Sequence, residues 1–178
     1  MDSVVFTTYG QKTAYLYDSE EKNTQEISYD WDGTAWVESW KDEYTYDANG
    51  NLTMDIGYSR NGATWVEEEK SESTYDANGN LTTDISYDWD GAAWEESWKR
   101  KYTYNANGNQ TTRIEYVWNA TAWKELYRAE RTYDANENLT MITLYYWENA
   151  VWKVTDKIDY TYDLSFPKED LIWPFMKK

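Results

Sequence analysis

Six Tyr-Asp or Tyr-Asn pairs begin at Tyr17, Tyr46, Tyr75, Tyr104, Tyr133 and Tyr162, each 29 residues after the one before. An unbroken period of this length marks a tandem array, in which each unit buries its apolar surface against its neighbours. Other columns keep the same step. Tyr29, Tyr58, Tyr87, Tyr116 and Tyr145 form one, and Trp36, Trp65, Trp94, Trp123 and Trp152 another. A third holds Trp31, Trp89, Trp118 and Trp147, with Arg60 as its exception. The array divides the chain into an N-terminal edge strand or cap (1–16), five 29-residue hairpin repeats (17–161) and a C-terminal cap or docking segment (162–178) that holds both prolines, Pro167 and Pro174.

Within a unit, large residues recur at every second position on either side of a turn, such as Asp32-Gly33-Thr34-Ala35 or Asp90-Gly91-Ala92-Ala93. Period two broken by Gly, Asn and Asp predicts two antiparallel strands per unit, and no segment shows helical spacing. Pairing Trp31 with Trp36 across a four-residue loop sets Ile27 opposite Trp40 and Lys41 opposite Glu26. The same register pairs Asp55 with Lys70, Asp84 with Lys99 and, less favourably, Arg113 with Arg128. It places the rings on one face and complementary charges on the other. At the second turn, keeping the faces consistent requires Tyr46 opposite Leu52. That leaves Ala48-Asn49-Gly50 as a three-residue loop with Gly50 left-handed, in place of the two-residue turn that Asn-Gly usually signals. The expected fold is all-β: an antiparallel meander of hairpin repeats coiled into a solenoid or shell.

Composition alone points the other way. Leu, Ile, Val and Phe make up only 25 of 178 residues and the net charge is −16, a balance typical of disorder. The 18 Tyr and 12 Trp resolve the conflict, because aromatic side chains bury enough area to replace an aliphatic interior. Other functions fall for want of side chains. With no His and no Cys there is no usual zinc site, no Ser-His or Cys-His nucleophile and no disulfide framework. The acidic balance disfavours nucleic acid, and no apolar run is long enough for a membrane helix. The N-terminal residues carry no signal peptide, so the expectation is either a cytoplasmic protein or a trimmed piece of a secreted one.

At the octet Tyr-Asp-Ala-Asn-Gly-Asn-Leu-Thr (46–53 and again 75–82) the chain resembles the YD-repeat, or Rhs, family. Those repeats build coiled β-hairpin shells in large secreted bacterial proteins. Together with Tyr-Asp-Trp-Asp-Gly-Thr-Ala-Trp (29–36), the octet is similar to tandem-repeat proteins secreted by Bacteroidetes. The likeness covers residues 17–163 and implies an extracellular or cell-surface location. The octet also resembles part of the choline- and glucan-binding repeats, which implies a polysaccharide partner.

Candidate binding residues are the rings at the hairpin ends: Trp31, Trp36, Trp89, Trp94, Trp118, Trp123, Trp147 and Trp152, where regular rows could stack on a glycan. Against that stands their use as core. Asp47-x-Asn49-x-Asn51 echoes the start of a calcium loop but lacks its later ligands, so turn chemistry is expected and no metal. The Asn-x-Thr triplets at Asn51, Asn80, Asn109, Asn119 and Asn138 read as by-products of the turns. Paired carboxylates abound, yet they recur with the unit rather than forming one sheltered pair, so no catalytic residue, no enzyme and no cofactor are expected. The leading expectation is a structural repeat protein that associates end to end with itself. A carbohydrate-binding module is the alternative, and a consensus-like designed array a third, since units two and three agree at 17 of 29 positions, the whole octet included.

Overall fold

The computed structural model describes residues 3–8 and 11–161; the residues proposed as a C-terminal cap, 162–178, lie outside them. Twelve strands follow one another: β1 (Ser3–Thr8), β2 (Gln11–Tyr17), β3 (Asn23–Trp31), β4 (Trp36–Tyr46), β5 (Leu52–Asn61), β6 (Thr64–Tyr75), β7 (Leu81–Trp89), β8 (Trp94–Tyr104), β9 (Gln110–Trp118), β10 (Trp123–Tyr133), β11 (Leu139–Glu148) and β12 (Val151–Asp159). They form one antiparallel sheet in strict sequence order, so the all-β meander expected from the repeat is the fold. Among the described residues no helix is long and apolar enough to cross a membrane. Among the described residues the sheet does not close: β1 and β12 are its two edges, and substantial strand contacts join only consecutive strands.

The turns obey the sequence. Tyr46 pairs with Leu52, the Asp47 N–H donates to the Asn51 carbonyl, and the Gly50 N–H donates to the Asp47 carbonyl. Gly50 alone of Asn49 and Gly50 has positive φ, at 86°. The loop is therefore the three-residue form, with the left-handed residue closing it. Glu21 and Glu137 occupy the glycine's place at φ 63° and 67°, each at a cost of roughly 1 kcal/mol. At the other end of the strands, Trp31 pairs with Trp36 and the Asp32 carboxylate accepts the Thr34 and Ala35 N–H groups.

The register between those fixed points differs from expectation. In each of the five repeat hairpins the second strand carries one extra residue: Ser39, Glu68, Ser97, Leu126 and Thr155 have no partner opposite. This bulge sets Ile27 opposite Lys41 rather than Trp40, and Glu26 opposite Asp42 rather than Lys41. Likewise Lys70 faces Ile56, Lys99 faces Ile85, and Arg128 faces Ile114, so the expected Asp55–Lys70, Asp84–Lys99 and Arg113–Arg128 pairs do not form. Ser39, Ser97 and Thr155 return hydroxyl hydrogen bonds to the carbonyls of Ser28, Ser86 and Leu144 across the bulge. A second bulge falls just after each Tyr-Asp turn, at Thr53, Thr82 and their equivalents. There Thr53, Thr82 and Thr140 bond the carbonyls of Thr45, Thr74 and Thr132. Hydroxyls thus occupy backbone acceptors where the ladder is interrupted.

Because each bulge moves the following residues to the other side, the rings are shared between faces rather than gathered on one. Face A carries Tyr29, Trp31, Trp36, Lys41 and Glu43 and their equivalents in later units; face B carries Trp40, Tyr44, Tyr46 and Leu52 and theirs. Nor is there an enclosed interior. Only Ala14, Gly57, Ala129 and Thr143 are buried among the described residues, and the rings expected to form a core are mostly half-buried against their neighbours in a single layer.

Candidate functional site

Face A is built from one repeated group. The four tip pairs, Trp31–Trp36, Trp89–Trp94, Trp118–Trp123 and Trp147–Trp152, meet edge to face with centroids 5.4, 5.1, 5.3 and 5.0 Å apart. All eight residues singled out from the sequence are therefore brought together in pairs along one margin of the sheet. The last three pairs follow one another about 10 Å apart, two strand spacings, while the first stands two hairpins from the second. In the second unit the Arg60 guanidinium lies over the Trp65 ring at 4.9 Å and takes the missing tryptophan's place. Trp31 is the most open of the eight, 49% exposed.

Each unit then clamps the next through a cation, and these residues were not foreseen. Lys41 lies 4.0 Å over Tyr58 and 5.5 Å over Trp65. Lys70 stands the same way over Tyr87 and Trp94, Lys99 over Tyr116 and Trp123, and Arg128 over Tyr145 and Trp152. Such contacts are worth about 0.5–1 kcal/mol each where exposed. A glutamate completes the clamp. Glu43 pairs with Lys41 at 2.7 Å and accepts the Tyr58 hydroxyl at 3.2 Å; Glu72 does so for Lys70 and Tyr87, and Glu130 for Arg128 and Tyr145. The Lys41 and Lys70 partners hold Glu43 and Glu72 below the usual carboxylate range. Burial, with the adjacent glutamates adding to it, pushes Tyr58 and Tyr87 up to about 12.

The third unit breaks the rule. Lys101 stands where the others have glutamate, and Lys99 is pushed below the usual lysine range by burial and by Lys101. The signal was present in the sequence as Lys41-x-Glu43, Lys70-x-Glu72 and Arg128-x-Glu130 at the array period. Without the bulge, those columns read as the charged side of the sheet.

Face B is held by a different device. The hydroxyls of Tyr46, Tyr75, Tyr104 and Tyr133 donate to the carbonyls of Asn23, Leu52, Leu81 and Gln110 at 2.7–2.8 Å. Next to them the chemistry drifts along the array. Trp40 lies over Gly57, where an added Cβ would stand 2.6 Å from the ring, and donates its indole N–H to Asp42. Burial pushes Asp42 above its usual range, against the Trp40 hydrogen bond and with repulsion from Asp55. In the third unit Arg100 replaces Asp42 by position, and the buried Trp98 indole nitrogen has no partner.

The turn carboxylates at the opposite margin are engaged by their own turns. The Asp47 carboxylate accepts from the Asn49 and Asn51 N–H groups and from the Asn51 side chain, and those bonds, the side chain's first, hold it below its usual range. Among the described residues no three carboxylates gather as a metal site.

These features define a class: an open, single-layer sheet of hairpin repeats with clamped aromatic rows. No family model matches the chain, and no curated protein does. Among solved structures it is similar to a protein of unknown function from Bacteroides fragilis, at 16% identity over 68% of this chain and 92% of that one, with a TM-score of 0.56. DUF3836 family proteins from Bacteroides vulgatus and Parabacteroides distasonis match at 22% and 17% identity over 49% and 50% of this chain and 91% and 87% of theirs, with TM-scores of 0.43 and 0.38. The first of these likenesses establishes the hairpin meander as a fold found in a solved protein; it carries no activity.

Proposed function

We propose that the chain is a non-enzymatic structural repeat protein of a bacterial secreted or cell-surface assembly, which extends by joining copies edge to edge. The observation that carries this reading is the sheet's two edges. β1–β2 and β11–β12 are both whole hairpins, so β1 of a second copy stands to β12 as β3 stands to β2. β12 exposes Val151, Val154 and Ile158 and holds no proline, and its charges, Lys153, Asp156, Lys157 and Asp159, balance in sign. A heterologous contact of this kind does not close, and it continues the array. Light scattering over a concentration series should show mass rising without limit, and Val151→Lys with Val154→Lys should stop it. A wild-type chain that remains monomeric at high concentration removes the proposal.

The alternative is a carbohydrate-binding module. What favours it is the spacing of the last three tip pairs, about 10 Å, which matches a two-sugar repeat in an extended β-linked glycan. Against it, Lys and Arg already occupy ring faces at Trp65, Trp94, Trp123 and Trp152. Tryptophan fluorescence that no soluble polysaccharide perturbs would dispose of this reading.

A further inference from the structure

The four clamps between consecutive units are built alike in all but one member. In three of them the cation stands opposite a tyrosine on the next strand, with glutamate two places on: Lys41 opposite Tyr58 and then Glu43, Lys70 opposite Tyr87 and then Glu72, Arg128 opposite Tyr145 and then Glu130. The glutamate divides its oxygens between two donors. Oε1 of Glu43, Glu72 and Glu130 takes the cation, and Oε2 takes the tyrosine hydroxyl. Lys99 stands opposite Tyr116 in the same register, but Lys101 holds the third place. Among the described residues no carboxylate reaches this group: Lys99 and Lys101 form no ion pair, and the Tyr116 hydroxyl makes no hydrogen bond. Glu96 and Glu125 act on Lys99 and Tyr116 from further away, and Glu67 likewise stands opposite Tyr58 without replacing Glu43. Lys99 has shifted accordingly. Lys41 and Lys70 lie 4.0 and 4.1 Å over their tyrosines and 5.5 and 5.4 Å from the tryptophans, whereas Lys99 is 4.8 Å from Tyr116 and 4.0 Å over Trp123. At the N-terminal edge Lys12 lies over Tyr29 with Ala14 in the third place, so that pair lacks both the acid and a second cation.

We infer that the third clamp is a binding site for a carboxylate supplied from outside the chain, held between Lys99 Nζ and the Tyr116 hydroxyl, with Lys101 Nζ as a third donor. The sister clamps define the fit. Each sets one cation and one phenol at the spacing of the two oxygens of a single planar carboxylate, which favours an organic acid over a single-atom anion. Lys101 is exposed and face A is one side of a single-layer sheet, so the ligand approaches from solvent. A free small acid and a uronic acid residue of a glycan present the same group. Once bound, either ties β8 to β9 as Glu43 ties β4 to β5 and Glu72 ties β6 to β7. The site is independent of edge joining, which uses β1 and β12, and of ring stacking on the tip pairs.

Three charge-assisted hydrogen bonds at a surface correspond to a dissociation constant on the order of 1 mM. The test follows the indole N–H resonance of Trp123 while the full chain is titrated with sodium acetate, sodium glucuronate or glucose, each against sodium chloride at equal ionic strength. Acetate and glucuronate should shift the resonance, saturate and compete with one another, and glucose should leave it in place. Equal affinities assign the site to a free acid and tighter glucuronate to a uronic acid; both support it. Lys101→Glu should abolish binding in a chain that folds at least as well as the wild type, because it supplies the carboxylate from within. Tyr116→Phe should weaken binding about tenfold by removing one donor to a charged group. Glu43→Lys copies the third clamp into the first and should create a second site, read at the Trp65 indole. Three results overturn the assignment: Lys101→Glu binding acetate as the wild type does, glucose or chloride shifting Trp123 as the acids do, or neither acid moving it at concentrations well above the expected constant.

Discussion

Faces A and B share the same strands, bulges and 29-residue period, yet they use the repeat in opposite ways. On face A the clamp of Lys or Arg, Glu, Tyr and Trp recurs from unit to unit with a single lapse at Lys101. On face B only the Tyr46 column and its hydroxyl bonds are constant, while one position runs Glu26, Asp55, Asp84, Arg113, Ile142. A contact between one unit and the next must be the same at every junction, so positions that hold the array together repeat. Positions that face something outside the sheet are free of that constraint and can vary with what they meet. The contrast assigns the repeated unit-to-unit clamp to face A and leaves face B the freer of the two to vary.

High pH should break the cohesive face altogether. Tyr58 and Tyr87 ionise at about 12 in the fold against about 10 in an unfolded chain. A raised folded value means that their contribution is fully present below pH about 10 and is lost as pH climbs towards about 12. The expected result is cooperative loss of the β circular-dichroism signal across that window, together with the rise in tyrosinate absorbance. Free titration of these tyrosines near pH 10 with the sheet intact would contradict the clamp. A single-residue version sharpens the comparison. Trp94→Ala removes the edge-to-face partner of Trp89 and the ring beneath Lys70, and should cost about 2–3 kcal/mol in urea unfolding. Asp88→Asn, two strands' breadth of the same hairpin but on face B, should stay within about 0.5 kcal/mol. Equal losses would erase the distinction between faces. The smallest effect is a gain: Lys101→Glu restores the missing member of the third clamp and should stabilise by about 0.5–1 kcal/mol. A double-mutant cycle with Tyr116→Phe should return that gain as coupling.

Period, strand count and both turns were legible because each rests on local chemistry: Gly50 in its left-handed position, Asp32 and Asp47 folding back on their own N–H groups, Trp31 opposite Trp36. The pairing of the tip tryptophans followed directly. What was hidden lay between the fixed ends. One extra residue in β4, Ser39, is invisible to an alternation count yet reverses the face of everything from Trp40 to Tyr46. Its trace was there, in the Ser or Thr at 39, 97 and 155 and the Thr at 24, 53, 82 and 140 that bond interrupted carbonyls. Misplacing it put Lys41 on the charged side, away from Tyr58 on the neighbouring hairpin.

That substantial contacts join only consecutive strands has a mechanical side. A pull applied across the array, from β1 to β12, loads a single edge at a time, and hydrogen bonds perpendicular to the strands open one after another like a zip. Each unit occupies about 10 Å of array but stores about 100 Å of chain. The sheet is therefore built to pay out length in equal steps at low force, with the first slip expected at the junction where Lys99 and Lys101 repel.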